Sequence, residues 1–287
     1  MQVRQARLLA LVAALAVLVS GLPSSAKPAV KGKRDPDKHA QAAPRAKGKS
    51  IGSPSEGHLQ GGRELRASKE LRTIGAYRWG LPELVGMLER AAGRVADKHE
   101  GAVLTVGDLS RKGGGDIAGH KSHESGRDAD VGFYLVKNGA QFFPARFAHI
   151  DEEGRAIGLR GVRFDDARNW TLVESFLTDR ETRPLQIFVA RHLRKRLLEH
   201  AAKIGASSSV RARAAEVLLQ PKRALPHDDH FHVRIACPKG QKDCSNFAKT
   251  RRTSAPTHGR KATPKGGARP PKTAPRKSGA APKRQRH

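Results

Sequence analysis

The run His230-Phe231-His232-Val233-Arg234-Ile235 constrains the fold more than any other part of this chain. It alternates with period two, so as a strand it turns His230, His232 and Arg234 to one face and Phe231, Val233 and Ile235 to the other. The apolar face has to cover a core, and the other face carries two imidazoles side by side. About a hundred residues earlier, His123-Glu-Ser-Gly126-Arg-Asp-Ala-Asp130 supplies a histidine and a carboxylate, joined by a loop that Gly126 can turn sharply. Zinc in a hydrolase takes three protein N or O ligands and keeps one position open. The two segments together complete that set with His123, Asp130 and His232 as ligands, leaving His230 on the same face to move protons. Asp128 competes with Asp130, because it lies on the same strand face two residues earlier.

Charge and composition divide the chain. A formal net charge of +28 over 287 residues points to an anionic partner surface. Residues 1–26 read as a secretory signal peptide, with Arg4 and Arg7 before the apolar run Leu8 to Leu18 and a small-residue stretch at Ser24-Ser25-Ala26. That run is short of the ~20 apolar residues of a comfortable span. The expectation is therefore a periplasmic or secreted protein without a transmembrane segment in the mature chain. Residues 27–49 read as a basic disordered linker, and residues 251–287, which hold Lys and Arg but no acidic residue, as a basic low-complexity disordered tail. Residues 50–250 remain for one catalytic domain, long enough for a sizeable core. In an exported chain, Cys237 and Cys244 are better used in a disulfide than as a thiol site.

Within the domain, helical spacing runs from Leu81 to Val95 with Pro82 in the first turn. Strands are expected at 102–106, 129–136, 185–189 and 230–236, and helices across 193–202 and 210–219. A further helix through Trp170, Leu172 and Phe176 takes Asp166 as its cap. Gly113-Gly-Gly115 and Gly119 mark a flexible loop leading to His120 and His123. It lacks the Lys-Ser/Thr of a phosphate cradle, so no nucleotide is expected. Helices and strands without regular βαβ alternation predict an α+β fold, a mainly antiparallel central sheet flanked by helices.

Gly119-His-Lys-Ser-His123-Glu-Ser-Gly-Arg-Asp-Ala-Asp130 and His227-Asp-Asp-His-Phe-His-Val-Arg-Ile-Ala-Cys237-Pro together resemble a known pattern. It is that of the zinc metallopeptidases grouping lysostaphin-type enzymes, D-Ala-D-Ala peptidases and the hedgehog fold, and within them penicillin-insensitive murein endopeptidases. Weaker similarity at Ser50-Ile-Gly-Ser and Val106-Gly-Asp-Leu extends it over roughly residues 50 to 245. The resemblance favours Asp130 over Asp128 as ligand. It implies one zinc per chain, peptidoglycan as partner, and hydrolysis of the D-alanyl to diaminopimelate cross-link between peptide stems.

On this reading His230 accepts the water proton or stabilises the oxyanion, His227 donates a hydrogen bond to the same centre, and His120 lines the cleft. His149, His192 and His200 read as surface residues. The basic tails suit the sacculus or its other anionic envelope polymers. Two alternatives stand beside this one: a D-Ala-D-Ala-type metallocarboxypeptidase, against which the H-x-H arrangement leans, and an anionic-polymer-binding envelope protein with a vestigial metal domain.

Overall fold

The computed structural model describes residues 48–222 and 224–247. The expected signal peptide, the linker up to residue 47 and the basic tail lie outside the described residues. The hairpin β1 (Lys49–Ser53) and β2 (Glu56–Gln60) is followed by β3 (Arg63–Glu64), β4 (Leu71–Thr73), β5 (Trp79–Gly80) and helix α1 (Pro82–Lys98). Next come β6 (Leu104–Val106), β7 (Asp128–Gly132), β8 (Leu135–Lys137), β9 (Ala140–Phe142), β10 (Arg163–Phe164) and α2 (Asp166–Leu177). The chain continues through β11 (Pro184–Phe188), α3 (Arg191–Lys203), α4 (Ser208–Val217), β12 (Leu218–Leu219) and β13 (His230–Ile235).

The fold is α+β. Six strands form the central sheet in the order β12-β11-β13-β7-β6-β4. Its inner pairs are antiparallel, and the short outer strands β12 and β4 add in parallel. The alternation read from the sequence holds: Phe231, Val233 and Ile235 of β13 join Ala129 and Val131 of β7 in the core. Helix α1 contributes Leu84, Leu88, Ala92 and Val95 to the same core, and α2 contributes Trp170, Val173 and Phe176, the spacing of a one-sided helix. Among the described residues no helix is long and apolar enough to cross a membrane.

Several boundaries differ from the expectation, each for a local reason. The expected strand 129–136 is two strands in two sheets, because Asn169 of α2 takes over the backbone between them. Its side chain accepts from Tyr134 N at 2.9 Å and donates to Tyr134 O at 2.8 Å, so the chain leaves the ladder with no unmet backbone group. Asp165, not Asp166, caps α2, accepting from Arg168 N, while Asp166 pairs with Arg196 at 2.6 Å. The last helical segment stops at Val217, because Leu218 and Leu219 pair with Ile187 and Phe188 of β11.

The ends of the domain are tied together. Cys237 and Cys244 are disulfide-bonded, and Ser245 N donates to Gly52 O at 2.9 Å. Beneath them Arg127, fully buried, donates to Ser50 Oγ, Ser245 O and Asn246 Oδ1. This buried guanidinium has no carboxylate in its hydrogen bonds and takes its charge compensation from Asp128 at a distance. It joins the first strand and the disulfide loop to the start of β7.

Candidate metal centre

Register places the chemistry. In the β13–β7 ladder His232 lies opposite Asp130, Arg234 opposite Asp128 and His230 opposite Gly132, so all the polar partners share the face turned from the core. His123 arrives from the loop before β7, which Gly126 turns with φ 71°. That glycine is required twice over, because a Cβ there would lie 2.7 Å from Leu59 Cδ1. His123 and His227 themselves adopt φ 78° and 56°, a conformation non-glycine residues take up mostly where function or packing demands it.

Three imidazoles converge on one carboxylate oxygen. His123 Nε2, His230 Nε2 and His232 Nδ1 each lie 3.3 Å from Asp130 Oδ1. Each ring is anchored by its other nitrogen: His123 Nδ1 donates to Leu109 O at 2.7 Å, His230 Nδ1 to Asp229 Oδ1 at 2.7 Å and His232 Nε2 to Asp128 Oδ1 at 2.7 Å. With one nitrogen of each ring so used, the inward nitrogen presents a lone pair whenever the ring is neutral. Lone pairs facing a carboxylate repel unless a cation or protons lie between them. His123 Nε2 and Asp130 Oδ1 are buried with no hydrogen-bond partner, an arrangement that costs free energy unless a ligand satisfies it. The donor set is one that fits a zinc ion.

Asp128, the rival ligand, has one oxygen in use and its Oδ2 buried without a hydrogen-bond partner. Its Oδ1 accepts from His232 Nε2 and from Arg234 Nε at 2.6 Å, which orients the His232 ring. Distance does not separate His230 from His123 and His232. Their surroundings do, since His123 is 1% exposed and His230 17%. His120 joins the group from the glycine loop, its Nδ1 3.7 Å from Asp130 Oδ2 and its Nε2 3.4 Å from Asp108 Oδ2. It offers one ligand atom within 4.8 Å of those of His123 and Asp130. That loop is tied at its root, where Gly115 N donates to Glu124 O at 2.9 Å and Gly113 O accepts from Leu59 N at 3.0 Å.

The electrostatics follow from the crowding. Burial works against the charged form of Asp130, but His123 and the other imidazoles beside it hold its carboxyl well below the usual range. Burial likewise disfavours charge on His230, yet the neighbouring Asp130 and Asp229 carboxylates outweigh this and raise it to about 9. His227 goes the other way, pushed down to about 4 by burial and by the neighbouring His230 and His232. Its Nδ1 donates to Leu225 O at 2.9 Å, so in the neutral ring Nε2 is left as an acceptor.

These groups line a cleft of about 520 Å³. Phe188 and Leu225 supply apolar wall; Lys121, Asp228, Asp229 and His149 supply charge. His149 is a surface residue, as read, and stands at the cleft's edge with its Nδ1 donating to Asp228 Oδ1 at 2.8 Å. His192 is half-buried and donates to Ile150 O at 2.9 Å. Asp108 and Asp229 stood in the sequence only inside the segments Val106-Gly-Asp-Leu and His227-Asp-Asp-His, with no role of their own assigned, while His149 reaches the site through a chain crossing no local pattern reveals.

A strand pair that turns one carboxylate and two imidazoles onto an open cleft, with a third imidazole from the loop before it, has the donor set of a hydrolytic metal centre. The chain belongs to the penicillin-insensitive murein endopeptidase family, whose description matches residues 50–257. It is 28% identical over 213 residues to a penicillin-insensitive murein endopeptidase of Haemophilus influenzae, covering 70% of this chain and 68% of that one. A Klebsiella pneumoniae relative of the same name is 27% identical over 210 residues, covering 69% and 70%. One from Escherichia coli O157:H7 is 26% identical over 244 residues, covering 82% and 80%.

Proposed function

We propose that this protein is a zinc-dependent, exported peptidoglycan hydrolase that cuts the D-alanyl to diaminopimelate cross-link between murein peptide stems. One observation carries the reading: three anchored imidazoles aim their free nitrogens at Asp130 Oδ1, each at 3.3 Å, inside a cleft of a chain in this peptidase family. His123, Asp130 and His232 are the proposed ligands of one zinc. When bound, that ion supplies a Lewis acid for the scissile carbonyl and lowers the pKa of water.

The remaining work falls to the chain's own side chains. Asp128 holds the His232 ring so that Nδ1 faces the centre. His230, anchored through Nδ1 on Asp229 with Nε2 3.3 Å from Asp130 Oδ1, is suited to take a proton from the attacking water and pass it to the leaving amine, or to stabilise the developing oxyanion. It serves as a base only once a cation offsets Asp130. His227, whose Nδ1 is occupied by Leu225 O, presents Nε2 as an acceptor for the attacking water. Phe188 and Leu225 offer apolar contact for the alanyl methyl group. The leader-like N-terminus and the basic extensions support delivery to an anionic envelope.

The test has two arms. Zinc content by elemental analysis is expected near one per chain, lost in His123→Ala, Asp130→Ala and His232→Ala and kept in His230→Ala, which loses turnover by about 10²-fold. Full zinc in His232→Ala would overturn the ligand set. Purified sacculi are expected to release un-cross-linked stems with intact D-alanyl ends; release of free D-alanine instead would favour the carboxypeptidase.

A further inference from the structure

Phe147 sits between β9 and β10, outside both histidine segments, and nothing in the sequence marks it. Its ring lies nearly parallel to the His230 imidazole, with centroids 4.9 Å apart and planes 24° from each other. The fold clears space for this contact. The residue opposite His230 on β7 is Gly132, where a Cβ would come within 2.9 Å of the Phe147 ring. At Gly107, whose N–H donates to Asp130 O at 2.8 Å, a Cβ would come within 2.8 Å of the same ring. Neither glycine has a positive φ, so the backbone does not demand glycine there. The ring does.

Nor is Phe147 a core residue. It is half-buried and stands apart from the hydrophobic cluster that holds the sheet and helices together. One side of it lines a small cavity with Phe133, Leu135 and Ala148, and its ring face lies against an imidazole. The hydrogen bond from His230 Nδ1 to Asp229 Oδ1, 2.7 Å, fixes one atom of that ring and leaves it free to pivot about the bond. A flat neighbour removes the pivot, because an offset stacked pair favours near-parallel planes. With both in place, His230 Nε2 is held 3.3 Å from Asp130 Oδ1.

We propose that Phe147 is a positioning residue: an aromatic plate that, with Asp229, sets the plane of His230 so that Nε2 points at the centre. The proposal rests on the murein endopeptidase reading for its catalytic consequence and on geometry alone for the placement. Phe147→Leu keeps apolar bulk and removes the plane.

On a purified cross-linked muropeptide, Phe147→Leu is expected to lower kcat about tenfold with KM within about twofold, since misorientation of a proton-transfer group acts on the transition state. Zinc content stays at the wild-type level, and Phe147→Tyr, which keeps the ring, recovers most of kcat. Phe143→Leu, at a partly exposed ring in the same loop beside Arg72, is the control that changes nothing. In histidine-labelled full-length protein, the His230 ring protons are expected upfield in the wild type and to lose that shift in Phe147→Leu.

An unchanged kcat, or unchanged His230 resonances, in Phe147→Leu overturns the proposal. If that variant does not fold, Gly132→Ala displaces the ring from the other side and is read in the same two ways. If the wild type releases nothing from muropeptides, the function fails and the resonances alone decide the placement.

Discussion

Asp128→Ala is the most informative perturbation of this protein, because Asp128 links the stability of the sheet to the geometry of the centre. The carboxylate is fully buried and accepts from His232 Nε2 and Arg234 Nε through one oxygen. Arg234 is itself only 13% exposed at its side chain. Deleting the carboxylate strands a largely desolvated guanidinium, and removing one partner of a buried pair costs about 3–5 kcal/mol. The same change frees the His232 ring, and loss of such a partner typically weakens metal binding by about 10- to 100-fold.

Two assays separate these effects. Urea unfolding reads stability with an unchanged slope, and competition against a chelator reads zinc affinity. Asp128→Ala combined with Arg234→Met is expected to be less destabilised than the sum of the single changes, because the second substitution removes the stranded charge. Arg234 and His232 outweigh burial and hold the Asp128 carboxyl below its ordinary range. Its stabilisation is therefore fully present above an unfolded value of ~3.9 and lost as pH falls below it, so wild type and Asp128→Asn converge in acid. Asp128→Ala within about 1 kcal/mol of wild type, with unaltered zinc affinity, would refute the reasoning.

Gly126→Ala forces a side chain into φ 71° and to within 2.7 Å of Leu59 Cδ1, and is expected to cost about 2 kcal/mol or more by thermal unfolding; a loss under half of that would mean the loop relaxes freely. Reducing the Cys237–Cys244 bridge opens a short loop worth about 2.5 kcal/mol in the chain-entropy account, and a reduced protein as stable as the oxidised one would contradict it. Deleting residues 251–287 is expected to leave stability and turnover on a small soluble muropeptide unchanged while weakening cosedimentation with intact sacculi at low salt, where screening lengths exceed ~10 Å. Equal binding of both forms would remove the targeting role.

The strand carrying His230 and His232, its buried face, the turn at Gly126 and the α+β character were all legible in the sequence. Each follows from a periodicity or a residue type acting over a few positions. The roles of Asp128 and Asp130 were not. Both lie on the same face of one strand, and only the register of β7 against β13 puts Asp130 opposite His232 and Asp128 opposite Arg234; a shift along the ladder would exchange their partners. His149 enters the cleft and Phe147 reaches the His230 ring from the segment between β9 and β10, and the break of the 129–136 strand depends on Asn169 arriving from α2. Sequence by itself determined which residues could bind a cation and which faces had to be buried, because those are local properties of side chains and repeat lengths. Tertiary structure decided which oxygen each imidazole meets, because pairing between strands is set by the free energy of the whole packed sheet and by no single segment of it.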